Sequence, residues 1–287
     1  MRKYLGALLL ILATVGSLQA QGEAYQFFTS KGKKINLKQV LKEAENADVV
    51  FFGELHNNSL GHWLQLQLLK GLHDTNNQLV VGSEVFERED QLNLDEWFLD
   101  QISESNFEAE AKLWKNYTTD YRPVLRFAKE KNLQFIATNV PRKYASAVSK
   151  AGFGTLDSLS DQARSYFAKL PIAFDNTLPG YVAMKDMMHG APGNPEFMMQ
   201  AQALKDATMA ESLFAPLHAG KQVFHINGAY HSKDGEGIIW YLRREFPDLD
   251  VLNIHTVTQD QLNDLDKENS KSGEIILVVP QDSHQSY

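Results

Sequence analysis

Short apolar runs, each separated from the next by sequence of helical spacing, set the strongest limit on what this chain can fold into. They are Asp48 to Phe52, Leu79 to Gly82, Leu133 to Thr138, Gln222 to Ile226, Val251 to Ile254 and Ile275 to Val279. Runs this short and this rich in Val, Ile, Leu and Phe read as strands buried on both faces. Between them, Leu60, Trp63, Leu64 and Leu68 fall on one helical face, and Pro123 sits where a first helical turn tolerates it. Alternating strand and helix predicts an α/β fold with a mostly parallel central sheet flanked by helices. From Tyr144 to Leu217 no good strand occurs, whereas Asp161 to Leu170 and Phe197 to Leu217 read as helices. The stretch 144–217 is therefore expected to be a helical insertion over the carboxyl ends of the strands.

Arg2 and Lys3, the apolar run Leu5 to Val15, and Ser17-Leu18-Gln19-Ala20 have the layout of a secretory signal cleaved before Gln21. This leaves one domain over 21–287 that includes the insertion. No later run approaches the roughly 18 to 20 apolar residues that a spanning helix needs. Cysteine is absent, which removes disulfides, thiolate ligands, a Cys nucleophile and a lipid-modified N-terminal Cys. The expected place is the periplasm or cell surface, without lipid attachment. A formal net charge of −8 argues against nucleic acid or an anionic membrane surface as partner.

Two tetrapeptides match: Gly53-Glu54-Leu55-His56 and Gly228-Ala229-Tyr230-His231. Each closely follows an apolar run, so each Gly is expected to turn the backbone sharply and deliver an imidazole to a sheet edge. Ligands of open α/β sheets lie outside the carboxyl ends of the strands, so the two histidines are expected to meet there. Other strand ends add Glu84, then Asn139 with Arg142, then Asn227. Buried carboxylates need a cation, a metal or a donor. Glu54, His56, Glu84 and His231 have the ligand types of a transition-metal or zinc site, with Arg142 on the wall. Glu84 and Arg142 read equally well as a structural ion pair. His62, on a helix, and His225, within a strand, read as packing residues.

The G-E-x-H, Gly82-Ser83-Glu84, Thr138-Asn139-Val140-Pro141-Arg142, Gln202 to Ala210 and Asn227 to His231 segments, in this order, resemble the ChaN-like haem-binding proteins. That family is similar to the wider Tiki/TraB/erythromycin-esterase group with its paired G-x-x-H motifs. The resemblance covers Asp48 to Leu242. It implies haem binding in iron acquisition, and allows a homodimer and an outer-membrane haem transport partner. The insertion carries suitable side chains: Tyr181, set in a turn-like context that would expose its ring, as first axial ligand, and His189 as second. Met184 and Met188 would lie against the porphyrin, although methionines also fill irregular cores. On this reading, haem depends on the insertion more than on the strand-end histidines.

The competing reading is a metal-dependent hydrolase of peptidase or esterase type. Glu54, His56 and His231 would hold a divalent transition metal, Glu54 or Glu84 would activate water, and Arg142 would steady an oxyanion. A binding or scaffold protein that keeps the site without chemistry is the third reading.

Overall fold

The computed structural model describes residues 23–188 and 193–287. The expected signal segment and His189 lie outside them. Chain order begins with β1 (Gln26–Thr29), β2 (Lys34–Ile35), α1 (Leu37–Ala44), β3 (Val49–Glu54), α2 (Ser59–Thr75) and β4 (Val80–Glu87). It continues through α3 (Gln91–Phe98), α4 (Glu104–Glu110), α5 (Arg122–Glu130), β5 (Gln134–Asn139), α6 (Arg142–Ala151) and α7 (Asp161–Arg164). The remainder is α8 (Pro179–Met187), α9 (Pro195–Ser212), α10 (Phe214–His218), β6 (Val223–Gly228), α11 (Ile238–Glu245), β7 (Val251–Gln259) and β8 (Ile275–Pro280).

The strands form one sheet in the order β2-β1-β8-β7-β3-β6-β4-β5. From β8 to β5 every pairing is parallel; β1 and β2 join as an antiparallel edge. Every expected strand is present. The β1–β2 edge was not foreseen, because four residues and two residues give too little pattern to read.

β3 shows why the runs are continuous rather than alternating. Val50 and Phe52 pack on one side with Leu64, Leu68 and Leu72 of α2. Val49 and Phe51 pack on the other with Met209 and Ala210 of α9 and with Ile238, Ile239 and Leu242 of α11. Successive side chains point to opposite faces, and both faces are covered. Fully burying each such side chain contributes on the order of 1.5–3 kcal/mol.

Among the described residues, the helical stretch begins at Arg142 and runs to β6 without a strand. It occupies two places. Its long helix α9 lies along a sheet face, whereas α8 reaches the turns beyond the carboxyl end of β6, where Gly180 N–H donates to Glu236 at 2.7 Å. Asn58 starts α2 by accepting the Gly61 N–H at 2.8 Å, which fixes the exit of the chain from β3.

Candidate functional site

Both G-x-x-H motifs lie at the carboxyl ends of neighbouring strands, since β3 pairs with β6 in register, Glu54 opposite Gly228. Neither glycine has positive φ, so the expected sharp turn is not the reason for Gly. Close approach is. A Cβ on Gly228 would stand 2.7 Å from His56 Cε1 and 2.8 Å from Nε2, and one on Gly53 would stand 3.0 Å from the Ala229 Cα. The two motifs fit only because each lacks a side chain where the other packs.

The first motif builds a half-open imidazole. Glu54 is buried, and its Oε1 meets His56 Nδ1 at 2.9 Å and accepts from the Tyr121 hydroxyl at 2.5 Å. Its Oε2 accepts from the Gln65 amide. Burial alone would raise the Glu54 pKa, but His62, His56 and Tyr121 hold it below the usual carboxylate range. Burial pulls His56 down, and the Glu54 hydrogen bond with the charges of Glu84 and Glu54 outweighs this and leaves it raised. The His56 side chain keeps 37% exposure, and Trp114 meets its ring edge-on at a centroid distance of 4.8 Å.

The second motif builds a closed one. His231 Nε2 lies 3.1 Å from Glu84 Oε1 and Nδ1 lies 2.5 Å from Asp206 Oδ1. Gln202 approaches the same Nδ1 at 2.9 Å, and Glu84 Oε2 also accepts the Gly228 N–H at 2.7 Å. Burial would lower the His231 pKa, but Glu84 and Asp206 push it up to about 10, so the ring is an imidazolium at neutral pH. Glu84 is held far below the ordinary carboxylate value despite burial, chiefly by His231. Asp206, buried and facing the Glu84 charge, is raised.

Glu54, His56, Glu84 and His231 are therefore brought together, with Arg142 nearby. A cleft of about 840 Å³ opens beside His56 and is lined by Arg142, Lys115, Lys112, Leu113, Trp114 and Tyr287, among others. Glu84 pairs with His231 and not with Arg142, which sets aside the structural Glu84–Arg142 pair. Among the described residues, neither Arg142 nor Lys115 has a carboxylate partner for its side chain. Lys112, by contrast, is engaged by Glu87 and Glu89. Asn227 and His225 serve packing: His225 Nδ1 meets Asn227 Oδ1 at 3.0 Å, and Nε2 meets the Thr138 hydroxyl at 3.0 Å. His62 is likewise enclosed, between Gln65 and the His56 carbonyl.

Other expectations are corrected. Tyr181 is not exposed by a turn; it lies in α8 with its ring buried beside Phe174, Met184 and Met199, and its hydroxyl faces Asp206 at 3.3 Å. Burial and the Asp206 charge drive its pKa far up, which disfavours the phenolate an iron would need. Met184 is partly buried and packs against the same cluster as Tyr181. The set Glu54, His56 and His231 does not converge as a metal site. Both ring nitrogens of His231 are taken by carboxylates and Glu54 turns inward to Tyr121 and Gln65. No three His, Asp or Glu side chains among the described residues are disposed to hold a metal ion. Sequence reading missed the roles of Asp206, Gln202 and Tyr121. Only Gln202 and Asp206 stood in a quoted motif, without an assigned role.

The sequence matches the family described as haem-binding uptake, Tiki superfamily, ChaN, over residues 40–242. The chain belongs to the ChaN family. Among solved structures, ChaN of Campylobacter jejuni, described with cofacial haem binding, is 18% identical with a TM-score of 0.68, covering 89% of this chain and 96% of that one. A Bacillus cereus protein is 10% identical with a TM-score of 0.52, covering 85% and 91%. A succinoglycan biosynthesis protein is 12% identical with a TM-score of 0.51, covering 87% and 91%. At these identities the likeness shows the α/β fold. No curated protein matches the sequence. Among the described residues, no helix of this ChaN-family chain is long and apolar enough to cross a membrane.

Proposed function

We propose that this chain is an exported haem-binding protein of iron acquisition, and that the porphyrin lies in the cleft beside the first G-x-x-H motif. The observation that carries the assignment is His56: Glu54 holds its Nδ1, and its Nε2 has no hydrogen-bond partner among the described residues. A carboxylate on Nδ1 orients an imidazole and raises its basicity as a ligand. The cleft fits the group in other ways. Leu113 and Trp114 offer an apolar and aromatic wall, and Arg142 and Lys115 offer unpaired cations for propionates. Its volume lies within the ordinary range for small-molecule sites. Bound haem would supply an iron centre that the neutral His56 imidazole would hold. Membership of the ChaN family supports the ligand class. In this role the chain loses residues 1–20 on export, acts as a homodimer and exchanges haem with an outer-membrane transport partner.

A titration of the purified protein with haemin tests the assignment through the Soret band. His56→Ala is expected to abolish or strongly shift it, and Tyr181→Phe to leave it in place. The cleft assignment fails if His56→Ala keeps the band while Tyr181→Phe or His189→Ala loses it, because the insertion then holds the iron. Because proton and iron compete for His56, whose pKa is raised, haem affinity should fall as pH drops. Intact mass of the protein from its native host checks the cleavage, and retention of Met1 to Ala20 would contradict it.

A further inference from the structure

The segment after β8 is pinned along the chain that leaves β3, immediately beyond His56. Asn58 Nδ2 donates to the Ser283 hydroxyl at 2.7 Å, and Ser59 N–H donates to the His284 carbonyl at 3.3 Å. Asn58 and Gln285 form an antiparallel bridge, and Ser286 N–H donates to the Asn57 carbonyl at 2.8 Å. The Ser286 hydroxyl donates to Asp120 Oδ2 at 2.5 Å. That same oxygen accepts from Asn116 Nδ2 at 2.6 Å, and Asn116 Nδ2 also donates to the His56 carbonyl at 2.8 Å. Ser286, Asp120, Asn116 and the His56 backbone thus form one hydrogen-bonded chain. Tyr287 follows directly. It is 60% exposed, yet it lines the same cleft as His56 and Trp114. Among the described residues, the buried Asn116 Oδ1 atom has no hydrogen-bond partner.

We propose that Ser283–Tyr287 is a strap that forms one wall of the ligand cleft, with the Tyr287 ring in contact with bound porphyrin and Ser286 positioning the His56 loop through Asp120 and Asn116. The proposal rests on the haem reading above and adds a binding residue to it. An exposed aromatic ring at the rim of a cleft walled on one side by Leu113 and Trp114 is well placed to be covered by a flat ligand, and burying it there adds contact area with little entropy to lose. Ser286 is a positioning residue: it touches no ligand and acts through the hydrogen bonds that hold the backbone of His56.

The test compares wild type, Tyr287→Ala, Ser286→Ala and a variant ending at Asp282. Haem loss is timed by transfer to an excess of apomyoglobin, and the strap is followed by hydrogen exchange before and after haemin is added. Tyr287→Ala is expected to speed haem loss about tenfold. The variant ending at Asp282 should lose haem faster still, with an unchanged far-ultraviolet circular dichroism spectrum. Ser286→Ala should shift the Soret maximum or its width by loosening His56, and Ser286→Thr, which keeps a hydroxyl, should restore it. In wild type, haemin should slow exchange at residues 283–287. If wild type binds haemin but Tyr287→Ala and the shortened variant release it at the wild-type rate, and exchange in the strap is unmoved, the strap is only structural and the haem reading stands. If wild type binds no haemin, both fall together.

Discussion

Two histidines drawn from the same motif, one strand apart, end in opposite conditions. His56 has one nitrogen held by Glu54 and a ring open to a cleft, whereas His231 is closed on both nitrogens by Glu84 and Asp206. The motif brings an imidazole to a strand end, but what comes from elsewhere decides its use. For His56 the neighbours are Trp114 and cleft cations; for His231 they are Asp206 and Gln202 from α9. The closed histidine supplies the positive charge that lets two buried carboxylates sit together, and the open one is left for a ligand.

The strongest blow to this division would come from His231→Ala. Removing the imidazolium leaves Glu84 and Asp206 buried without their cation, and a loss of about 3–5 kcal/mol in urea unfolding is expected. A loss below about 1 kcal/mol would mean that the closed pairing does not hold the fold together. Alkali makes the same attack on the intact chain. The folded His231 value near about 10 stands above the ordinary 6.5, so this contribution is complete below pH 6.5 and is lost as pH rises toward about 10. A pH series of melting temperatures should fall across that window, and Glu84→Gln should move the fall to lower pH. Glu84 works in the other direction: with its value lowered from 4.5, its contribution holds above that pH and fades in acid. Tyr121→Phe, which leaves Glu54 Oε1 with His56 alone, should cost about 1–2 kcal/mol and loosen the His56 ring. His56→Ala, which takes one hydrogen bond from buried Glu54, is expected to cost a similar amount, about 1–2 kcal/mol, well below His231→Ala, although it should cost the most in haem binding. Comparable destabilisation by His56→Ala and His231→Ala would erase the distinction between them.

Much of the fold was legible because it is local. Val49 to Phe52, Val223 to Ile226 and Ile275 to Val279 each declare a doubly covered strand within a few residues. The meeting of Glu54, His56, Glu84 and His231 was legible too, since parallel strands deliver their ends to one edge. What escaped depends on the packing of distant elements. Asp206 lies mid-helix in α9, and nothing nearby in sequence says that it faces the second motif. Tyr181 follows Leu178-Pro179-Gly180, which reads as a turn; Pro179 instead occupies the first turn of α8 and carries the ring inward. The glycines of the motifs were found but explained by the wrong cause. A neighbour that approaches from another strand leaves no trace in the glycine's own surroundings.

The strand order has a consequence for how the site comes into being. β3 and β4 follow one another in sequence, yet β6 lies between them and pairs with both. Until residues 223–228 have been made and threaded into that gap, β3 stands apart from the β4–β5 pair, and Glu84 lacks Gly228 and His231. Pairing over such a span demands a large loss of chain freedom before any contact repays it, so the central insertion should be a late and slow event. A nascent chain short of β6 leaves β3 with neither neighbour, since β7 also follows β6 in sequence, and leaves one edge of β4 open to other proteins, including other copies of itself. The strand that sets the second motif beside the first is thus also the one that covers the facing edges of β3 and β4.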